Sequence, residues 1–266
     1  MEVKKFISDE ENEILSLLET LSLQDITVPY NRDGNTLTMA KGETILYDCM
    51  DLSSLYFDVL SNLYSYRNKK YSKGIYCFLQ SSQCIEKAKN YYEYLKEEIN
   101  CIEKQYLDTI DVSLKESYDM FIKFSKHNLD RYKNYFIGLT EFELLHGDLF
   151  SGNVLQYNNR NVLIDFEYIR FGPFIAELAF ALCWDIISDF ESCWTINQLY
   201  DKTESLLINK IITIEEKNII LNFYIPLYAS LAMLFASAGK YNNSDIIKKG
   251  VKKFVMQYYF REGTDI

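Results

Sequence analysis

The chain has 266 residues, 48% of them apolar and 25% charged, enough for a sizeable core, which excludes a disordered, fibrous or disulfide-scaffolded polypeptide. Its 28 basic and 38 acidic side chains leave a net charge of −10 with only two histidines, a balance that repels phosphate backbones and anionic headgroups, so no nucleic-acid or membrane partner is expected. The length suits one two-lobed fold or two separate domains.

Cys49, Cys77, Cys84, Cys101, Cys183 and Cys193 never form a C-x-x-C pair, and they read as free, buried thiols of a reducing, cytoplasmic compartment. Met1 to Ser8 carries charges where a signal peptide needs an apolar core, so no secretion signal is expected. The apolar run Ile225 to Ala238 contains two serines and is shorter than the ~18 to 20 residues of a membrane span, so it reads as a core helix.

Ser8 followed three residues later by Glu11 forms a capping box, and Ile14, Leu17, Leu18 and Leu21 make an apolar stripe behind it, predicting a helix to about Leu23. Extended pieces follow at Ile26 to Pro29 and Thr36 to Met39, with Asp33, Gly34 and Asn35 suited to a tight hairpin turn between them. Leucines and aromatic rings at three- and four-residue intervals then predict helices near 51 to 66, 80 to 106 and 112 to 136. After an interruption at 144 to 168, helices resume near 174 to 189, 195 to 209, 214 to 238 and 243 to 260. His127, among lysines on one of these helices, reads as exposed.

The interruption concentrates the polar groups. Leu144, Leu145, Val154, Leu155, Leu163 and Ile164 would bury short strands, with the turn Asn158, Asn159, Arg160 before the strand Val162 to Phe166. Asp148 and Asn153 then stand at the two ends of a loop and Asp165 at the end of the neighbouring strand, so the three are expected to converge. A carboxylate that takes a proton, beside an amide oxygen and a second carboxylate as hard ligands, is the set that magnesium-assisted phosphoryl transfer uses.

His146-Gly147-Asp148 with Asn153 five residues beyond the aspartate, then Ile164-Asp165-Phe166-Glu167, Gly172-Pro173 and Glu177-Leu178-Ala179 resemble the aminoglycoside phosphotransferase and choline kinase family. The resemblance implies an α+β, protein-kinase-like bilobal fold with a reduced N-terminal sheet lobe and hinge at 1–45 and a larger, mostly helical C-terminal lobe at 46–266. That lobe would carry the catalytic loop at 144–155 and the metal-binding strand at 161–168. It implies Asp148 as catalytic base supported by His146, Asn153 and Asp165 as ligands of Mg2+, and ATP or GTP as phosphate donor. Glu177 replaces the aspartate more usual in its place and would cap the catalytic loop from a buried position.

The same resemblance implies a lysine for the phosphates, on a strand, and a glutamate on the following helix. Lys4 or Lys5 fits the first, and Glu11 or Glu13 the second, while Thr36 to Met39 followed by Lys41 and Gly42 resembles the strand and hinge that hold adenine. Met39 and Lys41 are therefore candidate nucleotide contacts. Only three residues precede Lys4, so the family's phosphate-covering hairpin is expected to be missing. Trp184, Asp185, Asp189, Glu191 and Trp194 would suit a cationic acceptor, although an amphipathic helix with its tryptophans in the core accounts for them more simply. The function expected is a small-molecule kinase acting on a hydroxyl of an aminoglycoside- or choline-like acceptor. The alternative, a catalytically degenerate kinase-fold protein with a binding or structural role, follows from a looser resemblance to spore-coat relatives.

Overall fold

A computed structural model describes residues 2–6, 15–16, 30–34, 36–40, 43–44, 91–106, 109–139, 143–165, 170–188, 196–237 and 244–262. It is an α+β chain whose contacts divide it into two compact units, one of 1–86 and 143–172, the other of 87–142 and 173–266.

The first unit holds the strands. β1 (Glu2–Phe6), β2 (Tyr30–Asp33) and β3 (Thr36–Ala40) form an antiparallel sheet with β3 in the centre. The partner of β3 in the hairpin is Tyr30–Asp33 and not the expected Ile26 to Pro29. Asp33 pairs directly with Thr36, and Gly34 takes a φ of 55°. A two-residue turn of this hand draws the residues immediately before it into the ladder. β4 (Glu43–Thr44) pairs with β6 (Val154–Tyr157), which pairs with β7 (Arg160–Leu163), and β5 (Glu143–Leu145) pairs with β8 (Arg170–Gly172). By packing, the segment 143–172 groups with the N-terminal strands.

Between β6 and β7 the register pairs Tyr157 with Arg160, and Asn158 and Asn159 have φ of 49° and 60°. Two successive positive φ values match the right-handed twist of a hairpin, and asparagine tolerates them better than most residues. The strand ends at Leu163, short of the expected Phe166, because Asp165 has a φ of 65° and leaves the extended conformation.

The second unit is helical: α1 (Tyr91–Tyr106), α2 (Lys115–Arg131), α3 (Lys133–Gly138), α4 (Phe174–Ser188), α5 (Ile196–Ile208), α6 (Ile214–Ser237) and α7 (Ser244–Glu262). The single helix expected over 112 to 136 is two, broken at Tyr132, whose N–H still bonds the carbonyls of Asn128 and Asp130. α6 starts at a capping box in which Thr213 N–H donates to Glu216 Oε2 at 2.7 Å and Glu216 N–H to Thr213 Oγ1 at 3.1 Å. Its middle, Ile220–Tyr224, is a π turn. Pro226 follows, and since proline has no N–H and its ring crowds the carbonyl four residues back, widening the preceding turn relieves the conflict.

Together with the residues before it, the apolar run of α6 becomes a helix of 24 residues, long and apolar enough to cross a membrane. Its apolar window is 83% buried inside the protein, so α6 is a core helix, as expected. α2, α4 and α7 pack around it. Phe136 meets Phe223 with ring centroids 5.2 Å apart, and Tyr118 Oη donates to the Ile102 carbonyl at 3.0 Å, joining α2 to α1. Cys183 is buried, with its thiol pushed up in pKa by desolvation, whereas Cys101 is exposed, against expectation, on the outward face of α1. The other four cysteines, the capping box at Ser8 and the helix expected over 51 to 66 lie outside the described residues.

Candidate active site

The loop that follows β5 begins with His146, which is 3% exposed. Its Nε2 lies 2.8 Å from the carbonyl oxygen of Ile164, which can only accept, so the hydrogen of the neutral ring is on Nε2. Burial pushes the imidazole down to a pKa of about 4, against the opposing pull of the Ile164 carbonyl, Asp165 and the Asp148 backbone. His146 therefore stays neutral and organises the loop, and its Nε2 is not available as a base.

Gly147 turns the chain with a φ of 85°, a conformation in which glycine lacks the clash of a Cβ. Leu149 and Val154, both fully buried, anchor the loop on either side, and a 3-10 turn over Ser151–Asn153 closes it. Asn153 is 6% exposed. Its Nδ2 donates to the Asp148 carbonyl at 2.8 Å and to Asp148 Oδ2 at 2.9 Å. Both partners are acceptors, which fixes the amide and turns its Oδ1 away from Asp148.

Ile164 closes the arrangement by backbone alone. Its N–H donates to the Asn153 carbonyl at 3.0 Å while its own carbonyl receives His146. Both ends of the loop thus grip the residue before Asp165, so these bonds link the segments that carry Asp148, Asn153 and Asp165. No side chain of Ile164 takes part, so nothing in its residue type foretold this. Asp165 is held at a φ of 65°, a region that costs most L-residues about 1–2 kcal/mol.

Lys5 on β1 completes the group, its Nζ 2.7 Å from Asp165 Oδ1. Lys4, one position earlier on the same strand, is exposed, as the alternation of a strand requires. Met39 on β3 pairs with Val3 and Tyr30 and is half-buried. Glu11, Glu13 and Lys41 lie outside the described residues, as do Asp189, Glu191 and Trp194. Trp184 is in the core, 8% exposed and stacked on Phe180 at 5.6 Å. Glu177 is buried in the first turn of α4, where the helix N-terminus favours a carboxylate, and His127 is exposed.

Among the described residues no group of three histidine, cysteine, aspartate or glutamate side chains gathers as a self-sufficient metal cage. Mg2+ needs none, since it is typically held by one or two protein oxygens together with phosphate oxygens and water. The Asn153 amide oxygen and an Asp165 carboxylate that already accepts one cation, the Lys5 ammonium, fit an ion of that kind.

No curated protein sequence matches the chain. Residues 129–199 match the sequence model described as the phosphotransferase enzyme family. Among solved structures, the chain resembles choline kinase from Cryptosporidium parvum Iowa II at 16% identity, covering 97% of this chain and 80% of that one with a TM-score of 0.57. It resembles a thermostable mutant of aminoglycoside phosphotransferase APH(4)-Ia in its apo form at 10% identity, covering 100% and 87% with a TM-score of 0.60. A third is the amicoumacin kinase hAmiN in complex with AMP-PNP, Ca2+ and Ami, at 12% identity, covering 96% and 81% with a TM-score of 0.52. The chain thus has the protein-kinase-like α+β fold of these small-molecule kinases, and the segment holding the loop matches the sequence model of the phosphotransferase enzyme family.

Proposed function

We propose that the chain transfers the γ-phosphate of ATP or GTP to a hydroxyl group of a small acceptor. The observation that carries this reading is the linkage of Asp148, Asn153, Asp165 and Lys5 by polar contacts of 2.7 to 3.0 Å, directly or through the Ile164 backbone, inside one compact unit. Asp148 accepts the proton of the attacking hydroxyl, and Asn153, by donating to Asp148 Oδ2, sets the plane of that carboxylate. Lys5 binds donor phosphate oxygens. When bound, Mg2+ neutralises charge on the phosphates, and Asn153 Oδ1 and Asp165 are the protein atoms that would hold it.

The hAmiN complex, which contains AMP-PNP and Ca2+, supports a nucleotide donor used with a divalent ion. A net charge of −10 favours a cationic acceptor, and choline- or aminoglycoside-like alcohols are the first to try. Met39 and Lys41 are the candidate hinge contacts to the base and Glu13 the candidate partner of Lys5. Thermal unfolding with and without magnesium nucleotide tests the donor half: a ligand at 100 times its Kd adds about 2.7 kcal/mol of stability. A rise in Tm with Mg-ATP or Mg-GTP is expected. No rise with any nucleotide and metal would sink the kinase reading in favour of a binding or structural role.

A further inference from the structure

We infer that Phe150 is a positioning residue: its ring, seated on Gly152, holds the turn that presents the Asn153 amide to Asp148. The inference rests on the proposed kinase reading and adds to it a residue that acts through Asn153. Two observations carry it. The first is that the turn has little to hold it by itself. It spans Ser151–Asn153 and is closed by a backbone bond from the Asn153 N–H to the Phe150 carbonyl at 3.0 Å. Hydrogen-bond geometry in a 3-10 turn is poor, and Gly152 within it is exposed and loses more conformational freedom on folding than any other residue type. Yet Asn153 at its end is 6% exposed, with Nδ2 bonded to the Asp148 carbonyl at 2.8 Å and to Asp148 Oδ2 at 2.9 Å. Fraying of the turn would release that amide.

The second observation is what fills the space at Gly152. A Cβ added there would lie 2.5 Å from Phe150 Cε2, 2.9 Å from Cζ and 3.3 Å from Cδ2. The half-buried ring of Phe150 therefore occupies the place that a side chain would take. Gly152 is not one of the glycines with a positive φ, so the ring, rather than the backbone conformation, is what calls for glycine. Phe150 thus closes the turn twice, with its carbonyl on Asn153 and its ring on Gly152. Because the obstacle is a side chain that can rotate, filling the position displaces the ring and leaves the backbone in place.

Hydrogen exchange of the Asn153 side-chain amide provides the test and needs no ligand. The full chain is labelled with 15N-asparagine, and the signal is assigned by its loss in Asn153→Ala. Phe150→Ala removes the ring and Gly152→Ala pushes it off its seat. Each should speed exchange about tenfold, equivalent to about 1.4 kcal/mol of local opening. The double variant should exchange no faster than Phe150→Ala, which has no ring left to expel, and Phe150→Tyr, which keeps the ring, should exchange at the wild-type rate. In a turnover assay, the Mg2+ concentration for half-maximal rate should rise in the variants that free the amide. An unchanged exchange rate in Gly152→Ala would overturn the inference, whether or not Phe150→Ala folds, and so would a double variant faster than both single ones. If neither wild type nor variants bind any nucleotide, the kinase reading falls, while the exchange comparison still decides what Phe150 does for Asn153.

Discussion

Gly250 on α7 passes so close to Ile187 on α4 that a Cβ added to it would overlap the Ile187 carbonyl oxygen and lie 3.0 Å from the carbonyl carbon. The obstacle is backbone, so no side-chain rotation relieves it. Alanine gains about 1 kcal/mol over glycine in helix propensity, but forcing two packed helices apart costs about 1–3 kcal/mol or more. Gly250→Ala should therefore lower stability by about 1–2 kcal/mol, read as a lower urea midpoint with an unchanged m-value. A midpoint at or above that of the wild type would contradict this account of the crossing.

Asp148→Asn removes the proton acceptor but leaves the loop, because Asn153 Nδ2 still has the Asp148 backbone carbonyl at 2.8 Å. Nucleotide affinity should stay within about threefold of the wild type, while phosphoryl transfer falls by about 100-fold or more, the usual scale for losing a general base. Titration of nucleotide and a coupled assay for nucleoside diphosphate separate the two quantities. Unchanged turnover would remove the base assignment.

His146 makes stability depend on pH with a definite sign. Its folded pKa of about 4 lies below the ordinary 6.5, so between those values the unfolded chain takes up a proton that the folded chain does not. The contribution of neutral His146 is complete above about pH 6.5 and is lost as pH falls toward 4, at most about 1.4 kcal/mol per pH unit and about 3 kcal/mol in all. Urea unfolding from pH 7.5 to 4 should follow this slope, and His146→Gln, which keeps a donor for Ile164 and does not titrate, should flatten it. Equal slopes in the two proteins would refute the assignment.

Asn159 is exposed, so its contribution is almost entirely conformational. With a φ of 60°, Asn159→Val places a β-branched side chain where it clashes with its own backbone, and should cost about 1–2 kcal/mol. Asn159→Gly should stay within about 0.5 kcal/mol of the wild type, since relief of the left-handed conformation offsets the extra freedom of the unfolded chain. Thermal unfolding of the pair checks the difference.

Much of the site was legible in the residues themselves. Asp148, Asn153 and Asp165 announce themselves by spacing, and the helical lobe by apolar periodicity, because both depend on side chains that sit in fixed sequence order. The choice of Lys5 over Lys4 needed the strand's alternation and its partner, which adjacent identical residues conceal. The clamp on Ile164 and the left-handed Asp165 are backbone events, for which an isoleucine and an aspartate carry no distinctive signal. The strand Tyr30–Asp33 escaped because its mixture of polar residues lacks the alternation of a half-buried strand, and the hairpin register alone recruits it. The π turn in α6 had a visible cause in Pro226, but hydrophobic pattern alone does not register a change of helical pitch.

That wider turn at Ile220–Tyr224 also sets the azimuth of everything downstream of it. It accommodates one residue more than an α-helical turn, and a single residue is about 100° of rotation. Tyr224 and Tyr228, which stack with centroids 5.8 Å apart, and Tyr228 against Phe180 at 5.3 Å owe their inward bearing to that offset. Shortening the segment by one amino acid to straighten the helix would swing these rings out of phase with their partners, so the irregularity works as a phase corrector between the two halves of a long rod.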